Sequence, residues 1–298
     1  MNATVLLAVS AAPLDPAELT AGERVRFAAL PGAYRRRRWL TGRRALRRGL
    51  AAAGRPPHTA ARTFPDRTAS LTHSGDLSVA AVAVAAAGVV GVGIDVERDR
   101  TPDPRTAGFY LTAPERAWLA DTTDRAQAAL RLWTVKEALF KADPGNAATV
   151  LRDYEVGDPS ARRGTAHRVP SAGPALRYVS LALPTGAATV AVALAPARPG
   201  SELSPHDHDR RSTTVSTVDF PQVRDRISTL AAVPVERLTP DVTIAELVPD
   251  SFAFVEVAVD LQEEFDVVLT QHDLKNIHTL GDLTALLARK QRAEGEPA

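Results

Sequence analysis

Residues 133–141, Trp-Thr-Val-Lys-Glu-Ala-Leu-Phe-Lys, are the stretch of sequence from which the organisation of this chain can be worked out. Glu137 and Lys141 are four residues apart, so on a helix they lie on one face. The other side of that helix is apolar and holds Trp133, Leu139 and Phe140. The stretch therefore predicts a helix that is buried on one side and carries a carboxylate and an ammonium group on the other.

A second stretch, Gly-Ile-Asp-Val-Glu at residues 93–97, comes about forty residues earlier. On a strand, Asp95 and Glu97 point to the same side. Together with Glu137 they form a set of hard oxygen ligands, which suits a magnesium ion that takes further oxygens from a substrate phosphate. The alternative is that these residues form only a surface ion pair and a solvated strand edge, which are common and weak.

In this order, the two motifs resemble those of the Sfp-type 4′-phosphopantetheinyl transferases. That family has a Gly-x-Asp-x-Glu strand followed by a Trp-x-x-Lys-Glu-Ala-x-x-Lys helix, and Thr72-His73-Ser74-Gly75 occupies the place of its Ser-His element. The resemblance implies an α+β transferase domain at residues 1–196. It would be a pseudodimer of two similar halves, about 1–88 and 89–196, with the active site between them.

Composition is consistent with a soluble protein of about two domains. The chain has 298 residues, of which 45% are hydrophobic and 24% are charged. It has no cysteine, which excludes disulfides, thiolate catalysis and cysteine-ligated zinc. No apolar run reaches the roughly 18 residues that span a bilayer. We therefore expect a cytoplasmic protein that has no membrane partner.

The carboxyl-terminal region carries a different pattern. Helical spacing predicts helices at Phe220–Ala232, Phe252–Phe265 and Leu280–Leu287. Around Asp250-Ser251-Phe252 the region resembles an acyl or peptidyl carrier protein, which implies an all-α, four-helix domain at residues 218–293 after a flexible linker at 197–217. The resemblance makes Ser251 the attachment site of 4′-phosphopantetheine. The alternative is that Ser251 merely caps its helix, a common role for serine.

Charge is divided unevenly between these regions. Residues 212–298 hold 7 Lys/Arg against 15 Asp/Glu, a net charge of −8, and residues 1–211 hold 29 against 20, a net charge of +9. Opposite charges favour encounter. A linker of roughly 20 residues spans about 25 Å as a coil and about 65 Å when stretched, which gives an effective concentration on the order of millimolar. We therefore predict that Ser251 is loaded by its own transferase domain.

A basic helix is predicted at Tyr34–Leu50, and its arginines have three interpretations. They form a solvated face, a nucleic-acid-binding face, or part of a coenzyme A site. The resemblance supports the third interpretation, because Arg38 and Arg43 match the segment that holds the nucleotide end of coenzyme A. It also implies that His73 contacts a phosphate of coenzyme A, and that Lys136 or Lys141 faces phosphate. The Gly-Lys-Pro signature of the family is missing here, and we expect no nucleic-acid partner.

Local patterns predict the remaining elements. We expect a helix over Pro13–Leu30 that begins at Asp15-Pro16, and a capping box between Thr112 and Glu115. Strand patterns are recognised at Met1–Ser10, Leu77–Ala86, Val89–Glu97 and Ala187–Leu194, the middle two forming a hairpin. A helical hairpin is expected from Pro114–Ala120 and Asp124–Ala142, ended by Asp143-Pro144-Gly145-Asn146.

Taken together, the sequence predicts a transferase that moves 4′-phosphopantetheine from coenzyme A to a serine of carrier domains, Ser251 included. The resemblance implies magnesium on Asp95, Glu97 and Glu137, with Glu137 also the base, directly or through a water, and Lys141 beside the phosphate. Other partners would be carriers of a polyketide or nonribosomal peptide synthase. The alternative is a non-catalytic protein that docks carriers and whose C-terminal domain only carries acyl groups.

Overall fold

The computed structural model describes residues 4–30, 32–60, 62, 64, 66–84, 88–169, 173–195, 218–248 and 250–295. These residues fall into two units. The first holds residues 1–102 and 110–203, and the second holds residues 103–109 and 204–298. The predicted linker, residues 197–217, lies outside the described residues.

The first half of the first unit is a three-stranded antiparallel sheet packed on one long helix. In chain order it contains β1 (Val5–Ser10), α1 (Ala21–Ala28), α2 (Ala33–Ala52), β2 (Ala69–Ser74) and β3 (Leu77–Ala83), with strand order β1-β3-β2. Leu46 and Leu50 of α2 pack on Ala80 and Val82 of β3. The basic helix predicted at Tyr34–Leu50 therefore packs on the sheet through its leucine side chains.

The second half is a five-stranded antiparallel sheet crossed by the motif helix. After β4 (Val89–Arg98), the short helix α3 (Ala107–Tyr110) lies almost entirely in the second unit. The half continues with α4 (Ala113–Asp121), α5 (Arg125–Ala142), β5 (Tyr154–Val156), β6 (Arg163–Arg168), β7 (Ala175–Leu183) and β8 (Gly186–Leu194). The strand order is β4-β8-β7-β6-β5. One face of α5 packs on this sheet through Val135, Leu139 and Ala142.

Strand β4 is held between α5 and the first sheet. Val92, Ile94 and Val96 pack on the residues of β3 that face them, Val79, Ala81 and Ala83. On the opposite side, a Cβ on Gly93 would lie 1.9 Å from the carbonyl oxygen of Ala138, so only glycine lets α5 approach this closely. The first residue of the Gly-x-Asp-x-Glu motif therefore brings Asp95 and Glu97 close to α5.

Two of the local predictions are wrong. Pro13–Leu30 is not one helix: Asp15 caps a single turn at Pro16–Glu18, Leu19 is extended, and α1 begins after Thr20, which forms a capping box with Glu23. The hairpin of Leu77–Ala86 with Val89–Glu97 does not form either. Strand β3 pairs with β1 and β2, and β4 pairs with β8 in the other sheet.

The second unit is helical. Its helices are α6 (Phe220–Ala231), α7 (Ile244–Leu247), α8 (Ser251–Phe265), α9 (Gln271–Leu274) and α10 (Leu280–Gly295). The buried side chains of its core include Val223, Ile227, Leu261, Leu283 and Leu287. Within this unit Arg105 pairs with Asp260 at 3.1 Å and with Glu263 at 2.6 Å. These ion pairs are exposed, so each contributes well under about 1 kcal/mol.

The α+β class predicted for the transferase region is confirmed, and so is the helical character of the carboxyl-terminal region. Thr279 caps α10, since its hydroxyl accepts from the amide of Asp282 at 3.1 Å. No helix in the described ranges is both long and apolar enough to cross a membrane.

Candidate functional site

Lys141 lies between two of the predicted acidic residues. Its Nζ is 2.7 Å from Oδ1 of Asp95 and 3.4 Å from Oε2 of Glu137. Asp124 caps α5 by accepting from the amide of Gln127, and the helix runs unbroken to Ala142, which puts Glu137 and Lys141 on adjacent turns. The structure therefore brings together one residue of the strand motif and two residues of the helix motif.

The environment of this cluster stabilises its charges. Asp95 is 4% exposed and Glu137 is 8% exposed. Burial by itself disfavours the ammonium of Lys141, but the charges of Asp95 and Glu137 outweigh burial and raise the pKa of Lys141 above its ordinary value. Lys141 is consequently cationic at neutral pH. Its side chain is 28% exposed.

The acidic residues meet the chemical requirements of a cation site. Oδ2 of Asp95 is buried and has no hydrogen-bond partner, so a bound cation would satisfy it. In the part of the chain that the structure describes, however, no three His, Asp or Glu side chains form a ready metal cluster. Glu97 follows Asp95 by two residues on β4 and projects to the same side, which keeps it in the candidate ligand set.

His73 lies on β2 and faces α2. Its Nδ1 is 2.7 Å from the hydroxyl of Ser78, its cross-strand partner on β3. Burial, and after it the positive charges of Arg38, Lys141 and Arg43, lower the pKa of His73 to about 3. The ring is therefore neutral at physiological pH and is surrounded by cations, an arrangement that favours a bound anion.

His73 and Lys141 line the same cavity, which has a volume of about 380 Å³. Its walls come from the loop before β2, from β2 itself, from the end of α5 and from the turn that follows it: Phe64, Asp66, Ala69, Ser70, Leu71, His73, Phe140, Lys141 and Asn146. A cavity of this size falls within the range of small-molecule pockets. It joins the His element of the first half to the helix motif of the second half.

The two predicted arginines occupy different environments. Arg43 is buried, lies 4.7 Å over the ring of Trp39, and donates to the carbonyl oxygen of Thr59 at 3.4 Å. Arg38 is half-buried and lies five residues earlier on α2. Between them, a Cβ on Gly42 would lie 2.7 Å from Cε1 of His73. Glycine in the Leu-x-Gly-Arg segment therefore allows α2 to pack directly on the histidine.

Lys136 does not face this cavity, contrary to the prediction that it contacts phosphate. It is fully buried, its Nζ is 2.6 Å from Oε2 of Glu115, and it donates to the carbonyl oxygen of Tyr154. Adjacent residues of a helix point about 100° apart, so Lys136 and Glu137 serve different faces of α5. The predicted capping acid, Glu115, also accepts from the amide of Thr112 at 2.8 Å, which joins the cap to this buried pair.

No strand was predicted from the sequence at Ala69–Ser74, the residues of β2, and so its role was missed. Its hydroxyl groups face β4: Ser70 accepts from the amide of Ile94, Ser74 accepts from the amide of Arg98, and Thr72 donates to Oδ1 of Asp95 at 2.9 Å. The signal was present in the sequence as hydroxyl residues at 70, 72 and 74, the spacing of one face of a strand.

In the second unit, Ser251 is the first residue of α8. The residue that caps this helix is Asp250, whose Oδ1 accepts from the amide of Ala253 at 2.9 Å. The N-cap position of α8 is therefore occupied by Asp250.

Comparison with protein-family models gives two matches. Residues 91–194 match the 4′-phosphopantetheinyl transferase superfamily, and residues 221–287 match the phosphopantetheine attachment site. The first match includes Asp95, Glu97, Glu137 and Lys141. The second includes Ser251.

Proposed function

Since the chain joins a 4′-phosphopantetheinyl transferase domain to a phosphopantetheine attachment domain, we propose that it transfers 4′-phosphopantetheine from coenzyme A to a serine of carrier domains. The observation that carries this proposal is the contact of Lys141 with Asp95 and Glu137, beside a cavity that Lys141 shares with His73. Acidic ligands and cationic groups that converge from both halves suit the charged pyrophosphate of coenzyme A.

Binding of the substrate rests on the positive charge around the cavity. Lys141 and the neutral imidazole of His73 line it, and Arg38 and Arg43 act on His73 from α2. In this proposal the phosphates of coenzyme A lie among these groups, with Lys141 beside the pyrophosphate. A cationic, partly water-excluded pocket lowers the cost of bringing several phosphate charges together.

In the proposed reaction, the serine oxygen forms a new bond to the phosphorus that carries pantetheine. The bond from that phosphorus to the oxygen of adenosine 3′,5′-bisphosphate breaks, and the nucleotide leaves with the electron pair. The proton of the serine passes to Glu137, directly or through a water. Lys141 stabilises the negative charge that develops on the leaving phosphate.

A magnesium ion fits this reaction, and Asp95, Glu97 and Glu137 would hold it. The unpartnered Oδ2 of Asp95 supports that assignment. When bound, the ion would withdraw charge from the phosphate oxygens and orient the pyrophosphate. The carboxylates would be only part of its ligand set, since magnesium usually keeps several waters and takes oxygens from substrate phosphates.

The carrier substrates of this proposal include the attachment domain of the chain itself, at Ser251, and separate carriers of a polyketide or nonribosomal peptide synthase. Ser251 begins a helix that is already capped by Asp250. The acidic charge of residues 212–298, net −8, complements the net +9 of the rest of the chain.

The test is the intact mass of the purified, unmodified full-length chain after incubation with coenzyme A and magnesium. We expect a gain of one phosphopantetheine group, release of adenosine 3′,5′-bisphosphate, and no gain in Ser251→Ala. The Ser251→Ala chain should still modify a separate carrier. If neither the chain nor any supplied carrier gains mass, the non-catalytic docking alternative is favoured.

Loading within one molecule can be separated from loading between molecules by dilution. If the chain loads its own Ser251, the fraction modified per unit time stays constant as protein concentration changes. A fractional rate that rises in proportion to protein concentration would show loading between molecules. It would leave the transferase assignment unaffected.

A further inference from the structure

The carboxylate of Asp95 is held by only one of its two oxygens. Oδ1 accepts from the hydroxyl of Thr72 at 2.9 Å and from Nζ of Lys141 at 2.7 Å. Oδ2 is buried and receives no hydrogen bond. A buried carboxylate oxygen without a donor is costly, so this orientation favours a ligand on Oδ2.

The donor from β2 differs from its two neighbours on the same strand face. Ser70 and Ser74 accept from backbone amides of β4, at 3.2 Å and 3.0 Å. These bonds join the strands and touch neither acidic residue of the motif. Thr72 lies between them and alone bonds a side chain of the motif, so its hydroxyl acts on the rotamer of Asp95.

The two donors to Oδ1 also differ from each other in charge. A cation bound at Oδ2 would repel the ammonium of Lys141, because both are positive and share one carboxylate. The hydroxyl of Thr72 is neutral and meets no such repulsion. It is also held in place, since Thr72 is buried and its branched Cβ restricts χ1. Thr72 is therefore the donor that can stay on Oδ1 in both the cation-free and the cation-bound protein.

We propose that Thr72 is a positioning residue, whose hydroxyl fixes the Asp95 carboxylate so that Oδ2 remains available to a divalent cation. The inference rests on the proposed function only because that function makes Asp95 a ligand of the cation. It adds that a residue of the first half orients a ligand supplied by the second half.

The test is titration of the full-length protein with Mn²⁺, a spectroscopic substitute for Mg²⁺, followed by electron paramagnetic resonance in the absence of coenzyme A. Thr72→Val keeps the side-chain shape and removes the hydroxyl. We expect it to raise the Kd for Mn²⁺ about tenfold, the effect of losing an outer hydrogen bond to a metal ligand. Thr72→Ser restores the hydroxyl and should bring the Kd back to within about twofold of the wild type.

Ser74→Ala is the matched control, because it removes a hydroxyl from the same strand face. We expect it to lower thermal stability and to leave the Kd for Mn²⁺ within about twofold. The proposal is overturned if Thr72→Val binds Mn²⁺ like the wild type, or if Ser74→Ala weakens Mn²⁺ binding as much as Thr72→Val does.

The outcomes separate this inference from the proposed function. A wild-type protein that binds no Mn²⁺ would overturn both this inference and the proposed cation site, while phosphopantetheine transfer would still be decided by the mass measurement. A protein that transfers no phosphopantetheine but shows the expected Mn²⁺ differences would support Thr72 and contradict the reaction.

Discussion

Lys136 and Lys141 are five residues apart on α5, and both pair with carboxylates, yet the two sides of the helix differ in one respect. Beside Lys136, both oxygens of the partner carboxylate are hydrogen-bonded. Glu115 pairs with Lys136 and also accepts from the amides of Thr112 and Val156. Around Lys141 the hydrogen bonds are incomplete, since one oxygen of Asp95 has no donor and a cavity lies alongside.

The difference distinguishes a structural ion pair from a group prepared for a ligand. A buried pair whose hydrogen bonds are all satisfied stabilises one conformation and has nothing left to bind. An ion pair with an unsatisfied oxygen beside a cavity can still bind a ligand through that oxygen. Burial alone would have selected the wrong lysine, because Lys136 is the more buried of the two.

The largest expected effect is on the structural side. Lys136→Met should lower the free energy of unfolding of the transferase domain by about 3–5 kcal/mol, because it leaves Glu115 buried without its partner. Denaturant unfolding measures this change. Lys136→Met with Glu115→Gln should recover part of the loss. Unchanged stability together with a strongly raised KM for coenzyme A would instead return Lys136 to the role of phosphate ligand.

On the functional side, Glu137→Gln should reduce transfer by about 10²–10³-fold, because the change removes a charged ligand and base at nearly constant volume. The rate of mass gain on a separate carrier measures this loss, and the thermal melting temperature should stay close to that of the wild type. Retained turnover with unchanged magnesium dependence would remove Glu137 from the site.

Lys141→Met should have two opposite effects. The KM for coenzyme A should rise about tenfold, since a cation beside the phosphates is lost. Mn²⁺ should bind more tightly, because the ammonium no longer competes for Asp95. Steady-state kinetics and Mn²⁺ titration measure the two effects, with Lys141→Arg as the charge-conserving control. Weaker binding of both ligands would contradict the competition.

The smallest expected effect concerns His73 and acid. Its pKa is about 3 in the folded protein, and an unfolded histidine titrates near 6.5. Between these values the unfolded state binds a proton that the folded state does not, so stability is present above pH 6.5 and is lost as pH falls. From pH 7 to 5 we expect a loss of about 1 kcal/mol from this residue, since its ring is partly exposed.

His73→Gln should remove that component of the acid sensitivity. Denaturant unfolding of both proteins at pH 7 and pH 5 compares the two losses. Equal losses would show that the folded protein takes up a proton at His73 as readily as the unfolded chain does.

Local sequence determined the parts of this protein that depend on neighbours along the chain. Helix α5 follows the predicted Asp124–Ala142 to within one residue, and the helix that begins with Ser251 was expected at Phe252. Helical spacing and end signals act over a few residues, so they are readable in one sequence. The same spacing correctly placed Glu137 and Lys141 on adjacent turns.

Only the tertiary structure decided which elements meet. The predicted pairing of β3 with β4 failed because strand partners are chosen by packing over the whole domain, and each strand satisfies its amides in a different sheet. Lys136 and Lys141 belong to one motif and carry the same charge, so nothing local separates them. Their roles were decided by the carboxylates that contact them, Glu115 for Lys136 and Asp95 for Lys141, which come from elements distant along the chain. Both oxygens of Glu115 are hydrogen-bonded, whereas Oδ2 of Asp95 is not.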